Sequence, residues 1–82
     1  MRLRYTLHAD DMLVERKIER AWVEAVMAAP EWTEPDPRWV GLRRAYGRVA
    51  EAGGRILRVV FADEGDGRRI VSAFFDRDAR RL

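Results

Sequence analysis

The spacing of hydrophobic and polar residues changes along this chain, and each change marks a new element. Over residues 2–8 the alternation is strict: Arg2, Arg4, Thr6 and His8 are polar, while Leu3, Tyr5 and Leu7 are apolar. A period of two predicts a short half-buried strand, with His8 at its end on the polar face beside Arg4 and Thr6. Residues 9–29 contain neither glycine nor proline. Within them Ile18, Ala21, Trp22, Ala25, Val26 and Ala29 fall at i, i+3, i+4, i+7, i+8 and i+11, a broad helical stripe. Ala9, Met12 and Leu13 form a shorter stripe out of phase with it, which predicts two helices broken near residues 16–18. Asp10 and Asp11 suit the positive end of the first helix, and Pro30 stops the second. Residues 30–38 hold all three prolines and show no periodicity. They predict a stiff extended connection, pinned to the core by Trp32 and Trp39.

The remainder predicts a meander. Strands over 43–50, 55–62 and 69–76 are separated by Glu51-Ala52-Gly53-Gly54 and by Gly65-Asp66-Gly67. Gly-Gly and Asp-Gly accept the positive φ that tight hairpins require. The order strand, helix, helix, then three strands predicts one α+β domain over residues 1–82, an antiparallel sheet with two helices on one face.

Length and composition narrow the function classes. Eighty-two residues leave room for one domain. The absence of cysteine removes disulfides and thiolate metal sites, and a lone histidine, His8, would leave any metal to carboxylates. No metal and no cofactor is expected. No apolar run approaches the roughly 20 residues of a membrane span, and the start of the chain lacks the apolar stretch of a leader peptide. The expectation is a cytoplasmic domain without membrane contact. Asp63-Glu64-Gly65-Asp66-Gly67 has the composition of a calcium loop but not its ligand spacing, so it reads as a polar hairpin tip.

Charge adds a directional signal. Of the 16 basic side chains 15 are arginine, against 14 acidic ones, for a net of +2. Codon usage of a GC-rich genome is the plainer expectation for the arginine total, beside arginine's aptness as a fork for phosphate and carboxylate. Placement is more informative: residues 1–37 hold 5 basic and 8 acidic groups (net −3), and residues 38–82 hold 11 and 6 (net +5). Such asymmetry points to a basic surface for an anionic partner. The plainer reading is a solvated sheet face carrying scattered arginines.

The chain lacks a phosphate-binding glycine loop and a nucleophile elbow. What remains for chemistry is His8, the arginines, Tyr46 and Ser72. Histidine is the side chain that titrates nearest neutrality. Arg44, Tyr46 and Arg48 share one face of the first meander strand, Arg58 sits among Ile56 and Val60, and Ser72 interrupts an apolar run and so needs a partner. Were His8, Arg58 and Ser72 to converge with Tyr46 or Arg48, they would supply a general base, a phosphate clamp and a hydroxyl donor. That set suits metal-independent RNA cleavage. A base removes the 2′-OH proton, arginine stabilises the phosphorane, and an acid protonates the leaving 5′-oxygen. One histidine cannot be both base and acid, so an arginine or Tyr46 would take one role. The structural alternative is that His8 caps the following helix or bonds a carbonyl, and that Ser72 hydrogen-bonds to backbone.

Thr6-Leu7-His8-Ala9 followed by Arg16-Lys17-Ile18 resembles the opening of a widespread family of small bacterial domains of unknown function. The family reads hydroxyl-x-His-Ala, then Arg-x-Ile, then an acidic helix ending near proline. Arg55-Ile56-Leu57-Arg58-Val59-Val60-Phe61 and Ile70-Val71-Ser72-Ala73-Phe74-Phe75-Asp76-Arg77 resemble its closing hairpin, so the likeness covers all but the proline-rich connection. Such domains are similar to the RelE and BrnT toxins, a compact α+β ribonuclease-like group from toxin–antitoxin modules. The resemblance implies a ribonuclease toxin with RNA as substrate and an antitoxin protein encoded nearby. Within it His8, Arg58 and Ser72 are the expected catalytic residues, and Arg16, Tyr46, Arg48 and Arg77 the expected substrate contacts. Three positions depart from the pattern: Met12 stands in place of an arginine, Lys17 in place of glycine, and Ser72 in place of threonine. Two other classes fit the residues: a non-catalytic basic module binding nucleic acid or an acidic protein, and a structural domain that oligomerises through its sheet edge.

Overall fold

The alternation over residues 2–8 spans two elements. In a computed structural model, which describes residues 2–80, strand β1 is Arg2–Tyr5 and helix α1 is Leu7–Arg16. Thr6 ends the strand because it is the helix N-cap: its backbone is extended, and its Oγ1 accepts the Ala9 N–H at 3.0 Å. His8 therefore lies in the first turn of α1, exposed, and not at a strand end. Nor does it cap the helix, since Thr6 already does. The Thr6 N–H also donates to the Ile70 carbonyl at 3.1 Å and its hydroxyl to that of Val71 at 3.4 Å, which ties the start of α1 to a neighbouring strand.

The break between the helices has a definite geometry. Lys17 adopts φ 56° and ψ 45°, and its N–H donates to the Leu13 and Val14 carbonyls. The Ile18 N–H reaches back to Leu13 O at 2.9 Å, and Ile18 and Leu13 are both buried. These are the bonds of a left-handed helix C-terminus. Helix α2, Arg20–Ala28, follows. Its buried residues are Val23, Val26 and Met27, whereas Ala21, Ala25 and Ala29 are exposed. The helix is thus rotated from the expected stripe toward its bulkier side chains, which remove more apolar area from water.

The remaining strands are β2 (Trp32–Pro35), β3 (Arg43–Val49), β4 (Arg55–Glu64) and β5 (Gly67–Phe75), in one five-stranded sheet of order β1-β5-β4-β3-β2. β1 pairs parallel to β5 and the other pairings are antiparallel, so the sheet is mixed and not purely antiparallel. A parallel pair needs a long crossover, and here everything between β1 and β5 supplies it. Gly67 permits that pairing, because a Cβ there would lie 2.4 Å from the Arg2 carbonyl oxygen. The proline-rich connection contributes the edge strand β2. Its Pro35 is tolerated at an edge, where a missing N–H breaks no ladder. Trp32 packs against the sheet, but Trp39 is 62% exposed and pins nothing. The helices cover one sheet face: Ala9, Leu13, Ile18, Val23, Val26 and Met27 pack against Ala45, Val49, Leu57, Val59, Phe61, Ile70 and Ala73. No helix among the described residues is long and apolar enough to cross a membrane.

Candidate functional site

Successive side chains of a strand point to opposite faces. With Leu57, Val59 and Ala73 in the core, Arg58, Val60, Ser72 and Phe74 point to the face that the helices leave open. The strand register sets Trp32 opposite Tyr46, Tyr46 opposite Arg58, and Arg58 opposite Phe74, a single row across four strands. Trp32 and Tyr46 stack at 4.5 Å with an interplanar angle of 11°. The Arg58 guanidinium lies 4.1 Å from the centre of the Phe74 ring. Arg16, from the last turn of α1, reaches the same ring at 5.8 Å. Two guanidiniums therefore converge on one aromatic ring. The Arg58 side chain is only 19% exposed, with Nη1 3.2 Å from Asp76 Oδ2. Its Nε is buried and has no hydrogen-bond partner among the described residues. An arginine held by one carboxylate and one ring keeps donors for a further acceptor.

The next row pairs Glu34 with Arg44, Arg44 with Val60, and Val60 with Ser72. Arg44 is committed to protein partners: Asp36 at 3.2 Å, Glu34 at 3.7 Å and the Tyr46 hydroxyl at 3.4 Å. Desolvation pushes the Asp36 carboxyl up. Hydrogen bonds from the Arg38 and Trp39 N–H groups and from Arg44 outweigh it, and hold the group below the usual aspartate range. Tyr46 is 3% exposed and donates its hydroxyl to Glu34 at 3.2 Å. It lies within the row, covered by the Trp32 ring and by Arg44 and Glu34, and offers little surface to solvent.

Helix α1 runs beside β5, starting at Ile70 and Val71 and ending at Phe74. His8, Met12 and Arg16 are spaced four apart and share one helix face. The contact of Arg16 with Phe74 turns that face toward the open row. His8 stands at the far end of the stripe, roughly 12 Å along the axis from Arg16. Its imidazole is exposed, and neither it nor the half-buried Ser72 hydroxyl makes a hydrogen bond among the described residues. The backbone bond expected of Ser72 is thus not made.

The fold therefore gathers Arg16, Arg58 and Ser72 around Phe74, with His8 at the rim. Arg48 lies one row away, opposite Ile56, with its Nη1 2.9 Å from Glu31 Oε1 and its backbone N–H donating to Glu31 Oε2 at 2.7 Å. Arg77 is exposed just beyond the end of β5. The charge asymmetry of the sequence largely cancels in space. Glu31, Glu34 and Asp36 of the acidic half answer Arg48 and Arg44 of the basic half, and Glu64 bridges Arg4 and Arg69. Arg16, Arg55 and Arg77 face no carboxylate among the described residues.

Phe74, Asp76 and Trp32 belong to this face although sequence reasoning did not assign them to it. One signal was available: adjacent Phe74 and Phe75 on a strand must point to opposite faces, so one of them lies on the open side.

The family model described as Domain of unknown function (DUF4258) matches residues 5–75. No curated protein and no solved structure matches the chain.

Proposed function

We propose that this chain, which belongs to the DUF4258 family, binds single-stranded RNA on its open sheet face and cleaves it as a toxin-like endoribonuclease. The reading places it beside the RelE and BrnT toxins and includes a dedicated antitoxin as protein partner. The observation that carries it is the Phe74 ring with Arg58 at 4.1 Å and Arg16 at 5.8 Å, next to Ser72 on the same strand face. Stacked aromatic and guanidinium planes accept any base, and free N–H groups beside them donate to its phosphate oxygens.

In this reading Arg58, shielded from water, holds the scissile phosphate and stabilises the charge of the phosphorane, while Arg16, farther along α1 from His8, holds the neighbouring phosphate. The Ser72 hydroxyl positions the sugar. The His8 imidazole at the rim takes the 2′-OH proton, the 2′-oxygen attacks phosphorus, and the bond to the 5′-oxygen breaks. Tyr46 is tied to Glu34 and so is not the acid; solvent protonates the leaving oxygen. The products are a 2′,3′-cyclic phosphate and a 5′-hydroxyl end.

The test is incubation of the purified protein with single-stranded RNA and analysis of the ends formed, alongside growth on induction. Arg58→Ala is expected to lower cleavage at least about 100-fold, as loss of a charge-stabilising donor does. His8→Ala is expected to abolish cleavage while RNA still binds. A wild-type protein that neither cuts RNA nor arrests growth overturns the nuclease reading. A second reading, RNA binding without cleavage, is favoured because no group among the described residues hydrogen-bonds the His8 ring. It predicts binding by wild type and His8→Ala alike, with no cut ends from either.

A further inference from the structure

Arg58 meets two groups at once, both on the face that the helices leave open. Phe74 lies opposite it on β5, and Asp76 follows Phe74 by two residues, so its side chain points to the same face. The Asp76 carboxylate is fixed at both oxygens: Oδ2 lies 3.2 Å from Arg58 Nη1, and Oδ1 accepts the Asp78 N–H at 3.0 Å. Its backbone is tied as well. The Asp76 N–H donates to the Ile56 carbonyl at 2.9 Å, and the Asp76 carbonyl accepts the Ala79 N–H at 3.3 Å. The Asp76 and Arg58 side chains are 17% and 19% exposed, so solvent ions screen this pair less than an exposed one. One turn of chain thus sets a carboxylate against the guanidinium that lies over Phe74.

The other paired arginines of the open face are matched differently. Arg44 is outnumbered by Asp36 and Glu34, Arg48 is balanced by Glu31, and Arg4 and Arg69 share Glu64. None of these guanidiniums lies over an aromatic ring among the described residues. At Phe74 two guanidiniums, Arg16 and Arg58, meet one carboxylate, Asp76, for a local charge of +1. Arg77 and Asp78, exposed in the turn beyond, offset each other. Without Asp76 the two guanidiniums would stand unopposed. That difference decides which phosphate the site takes. Arg58 Nε is buried, so a ligand meets the terminal nitrogens. A phosphate held there stands about 6 Å from the Asp76 carboxylate, two hydrogen-bond lengths across one planar group. An internal phosphodiester carries one negative charge, whereas a terminal phosphate near neutrality carries nearly two. The second charge costs more to dehydrate and is repelled by Asp76.

We infer that Asp76 sets the specificity of the Phe74 site, holding Arg58 over the ring and matching its charge to an internal phosphodiester in preference to a terminal phosphate. The assignment rests on the RNA reading above and deepens it: the strand is held within its length and not by a phosphorylated end.

The test compares adenosine 5′-monophosphate with its methyl ester, which has the same base and sugar and one charge fewer. Each is titrated against the ¹⁵N-labelled protein and followed at the Phe74 amide and the Arg58 Nε–H. Wild type is expected to bind the methyl ester at least as tightly as the monoester. Asp76→Asn keeps an acceptor for the Asp78 N–H and removes the charge. It is expected to shift the preference toward the monoester by about ten-fold, the effect of one unit charge at that distance in a partly solvated site. Asp76→Ser, which also keeps a short acceptor, serves if Asp76→Asn does not fold. A single strand methylated at its 2′-oxygens, and so proof against cleavage, is then followed by fluorescence anisotropy. Asp76→Asn is expected to steepen the slope of log affinity against log salt by about 0.7, one more phosphate neutralised. A purely structural role for Asp76 would weaken binding without steepening the slope. If the strand binds and the variant leaves preference and slope as in wild type, the Asp76 assignment fails and the RNA reading stands. If the nucleotides show the expected preference but RNA neither binds nor is cut, the diester site stands and the RNA reading fails. No binding of nucleotide or strand overturns both.

Discussion

Lys17 holds a backbone conformation that a side chain disfavours. It is the only non-glycine residue at positive φ among the described residues. The reason lies on either side of it: Ile18 must turn into the core under Leu13, and the carbonyls of Leu13 and Val14 need donors. Left-handed backbone costs an L-residue about 1–2 kcal/mol, and glycine escapes that cost while losing more freedom on folding. Lys17→Gly is therefore expected to raise stability by about 0.5–1 kcal/mol. A higher denaturant midpoint with an unchanged slope is the signature. A lower midpoint would mean that the lysine side chain contributes more than its backbone strain costs. The break itself was legible, because two apolar stripes change phase across residues 16–18. Its mechanism was not, since lysine carries no stop signal. His8 went astray for a related reason. Thr6 continues the strand's alternation and also caps the helix, and Ala9 three residues on supplies no capping-box acid to announce the switch.

Among the elements, the meander was readable and the parallel pair was not. Tight turns at Gly53-Gly54 and Gly65-Asp66 fix β3–β4 and β4–β5 locally. The β1–β5 pairing joins the two ends of the chain, and no short pattern encodes it. Its one sequence mark is Gly67, which reads equally as a turn residue. β2 was hidden by the prolines around it, which an edge strand tolerates. The same pairing governs the site. β1 leads through Thr6 directly into α1, and α1 carries both His8 and Arg16. Gly67→Ala would place a Cβ 2.4 Å from the Arg2 carbonyl oxygen and 2.9 Å from the Arg2 Cβ, so the strand must move. A cost of about 1–3 kcal/mol is expected, as for overpacking elsewhere. Faster hydrogen exchange at the β1 amides is expected with it, and weaker RNA binding as Arg16 shifts from Phe74. Exchange at β1 equal to wild type would show that β1 is held by its flanking contacts alone.

For the molecule as a whole, the question is what its arginines offer a polyanion. The sequence places 11 of the 16 basic residues after residue 37, which suggests a strongly basic half. Were all of them to meet phosphates, the slope of log affinity against log salt would approach about −8 for a single strand. The fold argues for less. Arg4, Arg44, Arg48, Arg58, Arg68 and Arg69 already face carboxylates, three of them from the acidic half of the chain. A phosphate arriving at such a pair displaces an internal anion and gains little. Among the described residues Arg2, Arg16, Arg38, Arg43, Arg55, Arg77 and Arg80 have no such partner. Of these Arg16 alone reaches the Phe74 ring, Arg55 and Arg77 stand at the neighbouring end of the sheet, and the other four lie outside the row, while Arg58 keeps spare donors. Three or four phosphates should be neutralised, giving a slope of about −2 to −3. The rest of the affinity then comes from stacking, which salt does not screen. Phe74→Ala should weaken binding of single-stranded RNA by about ten-fold, at the lower end of the energy of a base–aromatic stack, and by the same factor at every salt concentration. Arg16→Ala should instead reduce the slope by about 0.7. A wild-type slope near −8 would mean that the ion pairs open on binding and that the surface acts as a plain polycation. A shallow slope with a salt-independent loss in Phe74→Ala would place recognition in the Phe74 row itself.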